Sequence, residues 1–90
     1  MNFLHYDLDL EPDEAVQVEL DEKANVRLLD DLNFAKYKRG ERHSYFGGLA
    51  KESPVQLTPP HGGHWNLVID LGGYPGRVKA SVSTLKPQHA

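Results

Sequence analysis

Apolar residues in this chain recur at every second position, in short runs, and seldom at every third or fourth. Period two belongs to the β-strand, whose successive side chains point to opposite faces. In AVQVEL (15–20), Val16, Val18 and Leu20 share one face, while Ala15, Gln17 and Glu19 share the other. GRVKASVSTL (76–85) repeats the pattern, with Val78, Ala80 and Val82 inward and Arg77, Lys79, Ser81 and Ser83 outward. Both read as half-buried antiparallel strands with one wet face. Leu4, Tyr6, Leu8 and Leu10 alternate with Phe3, His5, Asp7 and Asp9, and shorter runs pair Val26 with Leu28 and Val55 with Leu57. In HWNLVIDL (64–71), Trp65, Leu67, Ile69 and Leu71 share a side, yet Val68 lies on the other. That marks a central strand covered on both faces, with Trp65 expected in the core against Val16, Val18 and Val82.

Turn chemistry separates the runs. Glu11-Pro12-Asp13-Glu14 and Asp21-Glu22-Lys23 bracket the second strand, and Pro59-Pro60-His61-Gly62-Gly63 precedes the Trp65 strand. Gly72-Gly73-Tyr74-Pro75-Gly76 reads as a hairpin joining the last two strands. One stretch departs from the β rhythm: Asp30 or Asp31 offers an N-cap, Leu32, Phe34 and Tyr37 a rough apolar stripe, and Gly40 a stop. One or two helical turns near residues 31–39 are therefore expected. No amphipathic helix alternates with the strands, which excludes a parallel α/β fold. The expectation is all-β: an antiparallel β-sandwich or jelly-roll-like small barrel of about seven to eight short strands with one helical insert. Residues 1–85 form its single domain and 86–90 a tail; a chain of 90 residues has no room for a second core.

Composition removes whole classes of function. There is no cysteine, hence no disulfide, thiolate metal site or cysteine nucleophile. No apolar run nears the roughly 18–20 residues that cross a bilayer, and the first residues lack a signal-peptide pattern, so a cytoplasmic protein without membrane contact is expected. A net charge of −3 argues against non-specific nucleic-acid binding. That charge is unevenly spread. Residues 1–22 hold eight acids and no Lys or Arg, whereas residues 36–51 hold Lys36, Lys38, Arg39, Arg42 and Lys51 against Glu41 alone.

Two stretches can carry chemistry. In FAKYKRGERHSYF (34–46), Lys36, Arg39 and Arg42 offer charge, Tyr37 and Tyr45 stacking faces, and His43 a pH-sensitive contact. Basic and aromatic groups together suit a small anionic ligand, nucleotide-like or sugar-phosphate, and a long insert on a β scaffold is where function often sits. In HGGHWNLVID (61–70), His61, His64 and Asp70 form a possible secondary site, with His43, Asp70 or Asp30 as a third ligand should two imidazoles share a metal. No recognised zinc spacing is present, so neither a metal nor any other cofactor is expected. Asp70, in an apolar run before a double glycine, is expected to accept N–H groups of the following turn. The glycine pairs at 47–48, 62–63 and 72–73 match no phosphate-loop pattern and read as bulges or tight turns, and no serine lies in a GxSxG context.

NVRLLDDLNFAKYKRG, SYFGGLAKESPVQL and HGGHWNLVIDLGGYPGRVKASV together resemble a small bacterial family classed as a domain of unknown function, found as short stand-alone proteins and fused to TIR domains. The likeness covers nearly all of residues 1–85, and it is most specific in Asn33-Phe34 with Tyr37-Lys38 and Gly40, in Ser53-Pro54-Val55, and in residues 63–73. It implies an all-β fold and a bacterial cytosolic setting, and it assigns no site residues. The spacing of Pro60, Gly63 and Trp65 is also similar to a turn of small jelly-roll modules, a likeness of layout that does not fix function.

These features favour a non-enzymatic binding or interaction module for a small anionic ligand or a protein partner, with no catalytic residues. The alternative is a small hydrolase or isomerase using His61, His64 and Asp70, metal-assisted or not. A third reading is a subunit that pairs a strand edge in a homodimer.

Overall fold

The computed structural model describes residues 3–86; residues 87–90 of the expected tail lie outside the described residues. The elements run β1 (Phe3–Leu10), β2 (Ala15–Leu20), β3 (Ala24–Leu29), α1 (Asp31–Lys38), β4 (Phe46–Ala50), β5 (Val55–Leu57), β6 (Gly63–Asp70) and β7 (Ala80–Leu85). Two antiparallel sheets face each other, one in the order β1-β6-β3-β4 and the other β5-β2-β7. The all-β, sandwich-like fold with one short helix matches the expectation from the alternation.

The alternating side chains meet between the sheets. Val16, Val18, Val26, Leu28, Trp65, Leu67 and Ile69 are all buried there, with Ala80 and Val82 of the smaller sheet and Val78 just before it packed against them. Trp65 fills this space as expected, its indole N–H donating to the His61 carbonyl at 3.1 Å. A fully buried Trp is worth about 3–5 kcal/mol against Ala. β6 is buried from Trp65 through Asp70 because it is flanked by β1 and β3 and covered on its outer face by α1.

Consecutive strands rarely pair. Only β3 and β4, joined through α1, are both consecutive and hydrogen-bonded; the other connections cross between the sheets. The expected 72–76 hairpin is therefore a crossover. Gly72 and Gly73 do turn the chain, with the Tyr74 N–H donating to the Leu71 carbonyl. But both edges of β6 are already taken by β1 and β3, so β7 must find its partner in β2. Regular pairing in β7 starts at Ala80, four residues later than the alternation implied.

β4 went unread in the sequence because Gly47-Gly48 breaks the alternation. Gly47 is required by a close approach: a Cβ there would lie 2.3 Å from the Val26 carbonyl oxygen. So the expectation of a bulge or tight turn at the first glycine pair is corrected; residues 47–48 lie within a regularly paired strand.

The helix follows its local signals. Asp30 caps it, its side chain accepting the Asn33 N–H at 2.8 Å. At the far end Gly40 adopts φ +72°, and the N–H groups of Gly40 and Glu41 return to the carbonyls of Tyr37 and Lys36. This is a Schellman closure, and it directs the chain back over the sheet.

Candidate ligand-binding site

Strand parity puts a second set of side chains on the outer face of the larger sheet. Register aligns Asp70 with Phe3 and Asn25, Val68 with His5 and Arg27, and Asn66 with Asp7 and Leu29. α1 lies on this face, where Phe34 forms a small apolar cluster with Leu29 and Val68, flanked by Phe3 and Tyr37. Phe34 and Tyr37 both meet the Phe3 ring edge-on.

Asp70 is the polar centre under the helix. Its Oδ1 accepts from Asn25 Nδ2 at 2.9 Å and the Gly72 N–H at 2.8 Å, and its Oδ2 accepts from Arg27 Nη1 and the Tyr37 hydroxyl, both at 2.7 Å. The Gly72 bond is the one the sequence foretold. Burial pushes the carboxyl upward, yet the bonds from Asn25, Tyr37 and Gly72, with the Arg27 charge, outweigh it and hold it below the usual range. Burial, followed by the bond and charge of Asp70, pushes the Tyr37 phenol far up, so it stays a donor.

The loop after α1 returns over this centre. Asn33 pins it, its side-chain oxygen accepting the Ser44 N–H at 2.9 Å, and His43 Nδ1 lies 2.9 Å from the Glu41 carbonyl, to which only a protonated nitrogen can donate. The His43 ring meets Tyr37 edge-on and tilts against Tyr45, at centroid distances of 5.4 and 5.6 Å. The Arg27 guanidinium lies 5.0 Å from the Tyr45 ring centre and 5.9 Å from that of Tyr37. Two buried atoms among the described residues have no hydrogen-bond partner, Arg27 Nε and His43 Nε2. Both belong to groups lodged against the same two tyrosine rings.

Of the residues expected at the insert, Tyr37, His43 and Tyr45 are thus brought together, and Asp70 joins them. Arg39 is engaged elsewhere, in an ion pair with Glu41. Lys36 and Arg42 flank the cluster along the chain, and neither has a carboxylate partner among the described residues. His61, His64 and Asp70 do not converge. His61 packs on Trp65 at 5.0 Å. His64 faces outward between Asp31 (Nδ1, 2.7 Å) and Asp7 (Nε2, 3.1 Å). It is six residues from Asp70 along one strand, about 20 Å. With one ring nitrogen aimed at each carboxylate, His64 offers no shared point for a cation, and no group of three or more His, Asp or Glu among the described residues is arranged to hold a metal.

Compared with known families, residues 1–88 match the one described as Domain of unknown function (DUF1883). The chain belongs to that family. No curated protein and no solved structure matches the DUF1883 chain. No helix among its described residues is long and apolar enough to cross a membrane.

Asn25 and Arg27 are the residues of the DUF1883 chain that sequence reasoning passed over. They occupy the polar positions of ANVRLL, and such positions normally face water. The available signal was pairwise: one cation in an apolar strand and one carboxylate in another demand each other once both strands are buried. A second network was also missed. His5 Nε2 lies 2.9 Å from Asn66 Oδ1, and Asn66 Nδ2 donates to Asp31 at 2.8 Å, linking β1, β6 and the start of α1.

Proposed function

We propose that this protein is a small binding module whose recognition surface is the 36–45 insert and the sheet face beneath it, and that it takes a small anion. The observation that carries the reading is the pair Arg27 Nε and His43 Nε2, buried without partners among the described residues, in groups that lie against the Tyr37 and Tyr45 rings. A buried polar nitrogen without a partner costs about 1–3 kcal/mol, which an accepting oxygen removes. With Nδ1 donating to the Glu41 carbonyl, His43 keeps Nε2 for a ligand, beside the same two tyrosine rings that Arg27 lies against. Tyr45, 42% exposed, forms the outer wall, and its displacement admits the ligand. Lys36 and Arg42 draw anions toward the opening. The Asp70–Arg27–Tyr37 bonds hold the floor rigid, which limits the ordering cost of binding.

The test is a thermal-shift series with inorganic phosphate, nucleotides and sugar phosphates on the wild type and on Arg42→Glu/His43→Ala. At a hundredfold excess over Kd a bound anion adds about 2.7 kcal/mol, a Tm rise of roughly 10 °C or more in a domain this small. The rise should vanish in the variant and shrink with salt. If no anion stabilises the wild type, or one stabilises both proteins equally, the insert is not an anion site.

A further inference from the structure

The 71–79 crossover roofs a cleft of about 600 Å³ at the end of the sandwich where β1 begins and β6 stops. Its floor is apolar, made by Phe3, Leu4, Ile69, Leu71 and Val78. Tyr74 stands on the rim 80% exposed, the most exposed of the chain's large apolar side chains in the described region. Arg77 is the sole cation among the described lining residues, and it has no ion-pair partner among the described residues. Asp70 is the sole carboxylate among the described lining residues, and its two oxygens are already taken by four donors. The cleft therefore presents an apolar floor, one aromatic face and one uncompensated positive charge.

We propose that this cleft is a second binding site, for a small amphipathic monoanion with a flat apolar body and one carboxylate. The volume falls in the range of small-molecule sites, which are mainly apolar with a few placed polar groups. The body rests on the floor, Tyr74 covers its upper face, and Arg77 takes the carboxylate by paired N–H bonds. A single guanidinium matches a single charge; a phosphate dianion would leave half of its charge unmatched beside the apolar floor. The site shares Asp70 with the insert site as a common structural post, but none of Lys36, Arg42 or His43 reaches its lining.

The measurement is an amide ¹H–¹⁵N titration with 2-naphthoate, and with uncharged 2-naphthamide as control, on wild type, Arg77→Ala and Tyr74→Ala. Both substitutions fall on exposed side chains of the crossover, and the variants' own spectra report whether the fold is kept. In the wild type, naphthoate should saturably shift the amides of Leu4, of residues 71–74 and of residues 76–78, and bind more tightly than naphthamide. Arg77→Ala should weaken naphthoate about tenfold, equivalent to about 1.4 kcal/mol, and leave naphthamide nearly unchanged. Tyr74→Ala should weaken both. Absence of saturable shifts at concentrations on the order of 1 mM, shifts centred elsewhere, or undiminished naphthoate binding by Arg77→Ala would overturn the proposal.

Discussion

Asp70 and His64 stand on the same face of the same strand, and each is the centre of a polar network. The contacts are equally short, 2.7–2.9 Å around Asp70 and 2.7–3.1 Å around His64. Their settings differ. The Asp70 side chain is wholly buried under α1 and its Arg27 partner is 20% exposed, whereas the His64 side chain is 38% exposed and both its carboxylates are largely in water. In water an ion pair gains little over its solvated parts. Under the helix each group has been stripped of water and depends on its protein partners, so loss of one strands the rest. The comparison teaches that distance alone does not rank these networks; access to water does. The Asp70 end fastens helix to sheet, and the His64 end titrates.

The largest effect should come from Asp70→Ala. It strips Arg27, Tyr37, Asn25 and the Gly72 N–H of their acceptor at once. Removing one member of a buried pair typically costs 3–5 kcal/mol, and the partial exposure of Arg27 places the loss near about 3 kcal/mol. That is a large share of what a domain this small holds. Urea denaturation followed by Trp65 fluorescence measures it, and a loss below about 1 kcal/mol would put Asp70 on a level with a surface carboxylate. The same carboxyl sets an acid limit. Because its folded pKa is depressed, its stabilisation is present above the ordinary carboxylate range and drains away as pH falls through the lower folded value.

Tyr37→Phe is the finer cut. It removes the hydroxyl while keeping the ring that packs on Phe3 and His43. Asp70 Oδ2 keeps Arg27, so the expected loss is about 1.5–2 kcal/mol, the low end of the range for a hydrogen bond to a charged group. In the Asp70→Ala background the same change should cost much less, since the bond is already gone. A double-mutant cycle measures that coupling, and additive losses would separate Tyr37 from the network.

How far this arrangement could be read in advance follows from the range of each signal. The helix between Asp30 and Gly40 rests on caps within the segment itself, and the β1, β2 and β6 alternations are equally local. The 72–76 turn was also read correctly as a turn; its partner strand was not, because an occupied edge on β6 is a property of β1 and β3. Parity also explains the sites. Tyr37, His43 and Tyr45 lie within nine residues and were grouped for their composition. His61 precedes β6 and falls in beside Trp65, so its likeness to His64 in the sequence says nothing of proximity. Arg27–Asp70 and His64–Asp7 join residues 43 and 57 positions apart. No local pattern carries such a register.

His64→Gln should show the smallest change in stability and the clearest change in pH dependence. The hydrogen bond to Asp31 is the main cause that raises the His64 pKa; desolvation opposes it, and the Asp31 charge and the bond and charge of Asp7 add to it. His5 also faces this group, its Nε2 3.6 Å from Asp7. A raised folded pKa means that the native state holds the proton more tightly than the unfolded chain. The resulting stabilisation is complete below the ordinary histidine value of about 6.5 and is lost as pH rises through the higher folded value. Asp31 reinforces this from the other side, since its bonds to Asn66 and then His64 depress its own pKa and keep it charged. Wild-type stability should therefore decline between pH 6 and 8 more steeply than that of His64→Gln, with the two curves converging at the alkaline end. High salt should narrow their difference, because the charges are exposed. Urea midpoints across that range, with an NMR titration of the His64 ring, provide the check. Parallel curves, or a ring titrating at or below the ordinary value, would mean that water has reduced this network to surface decoration.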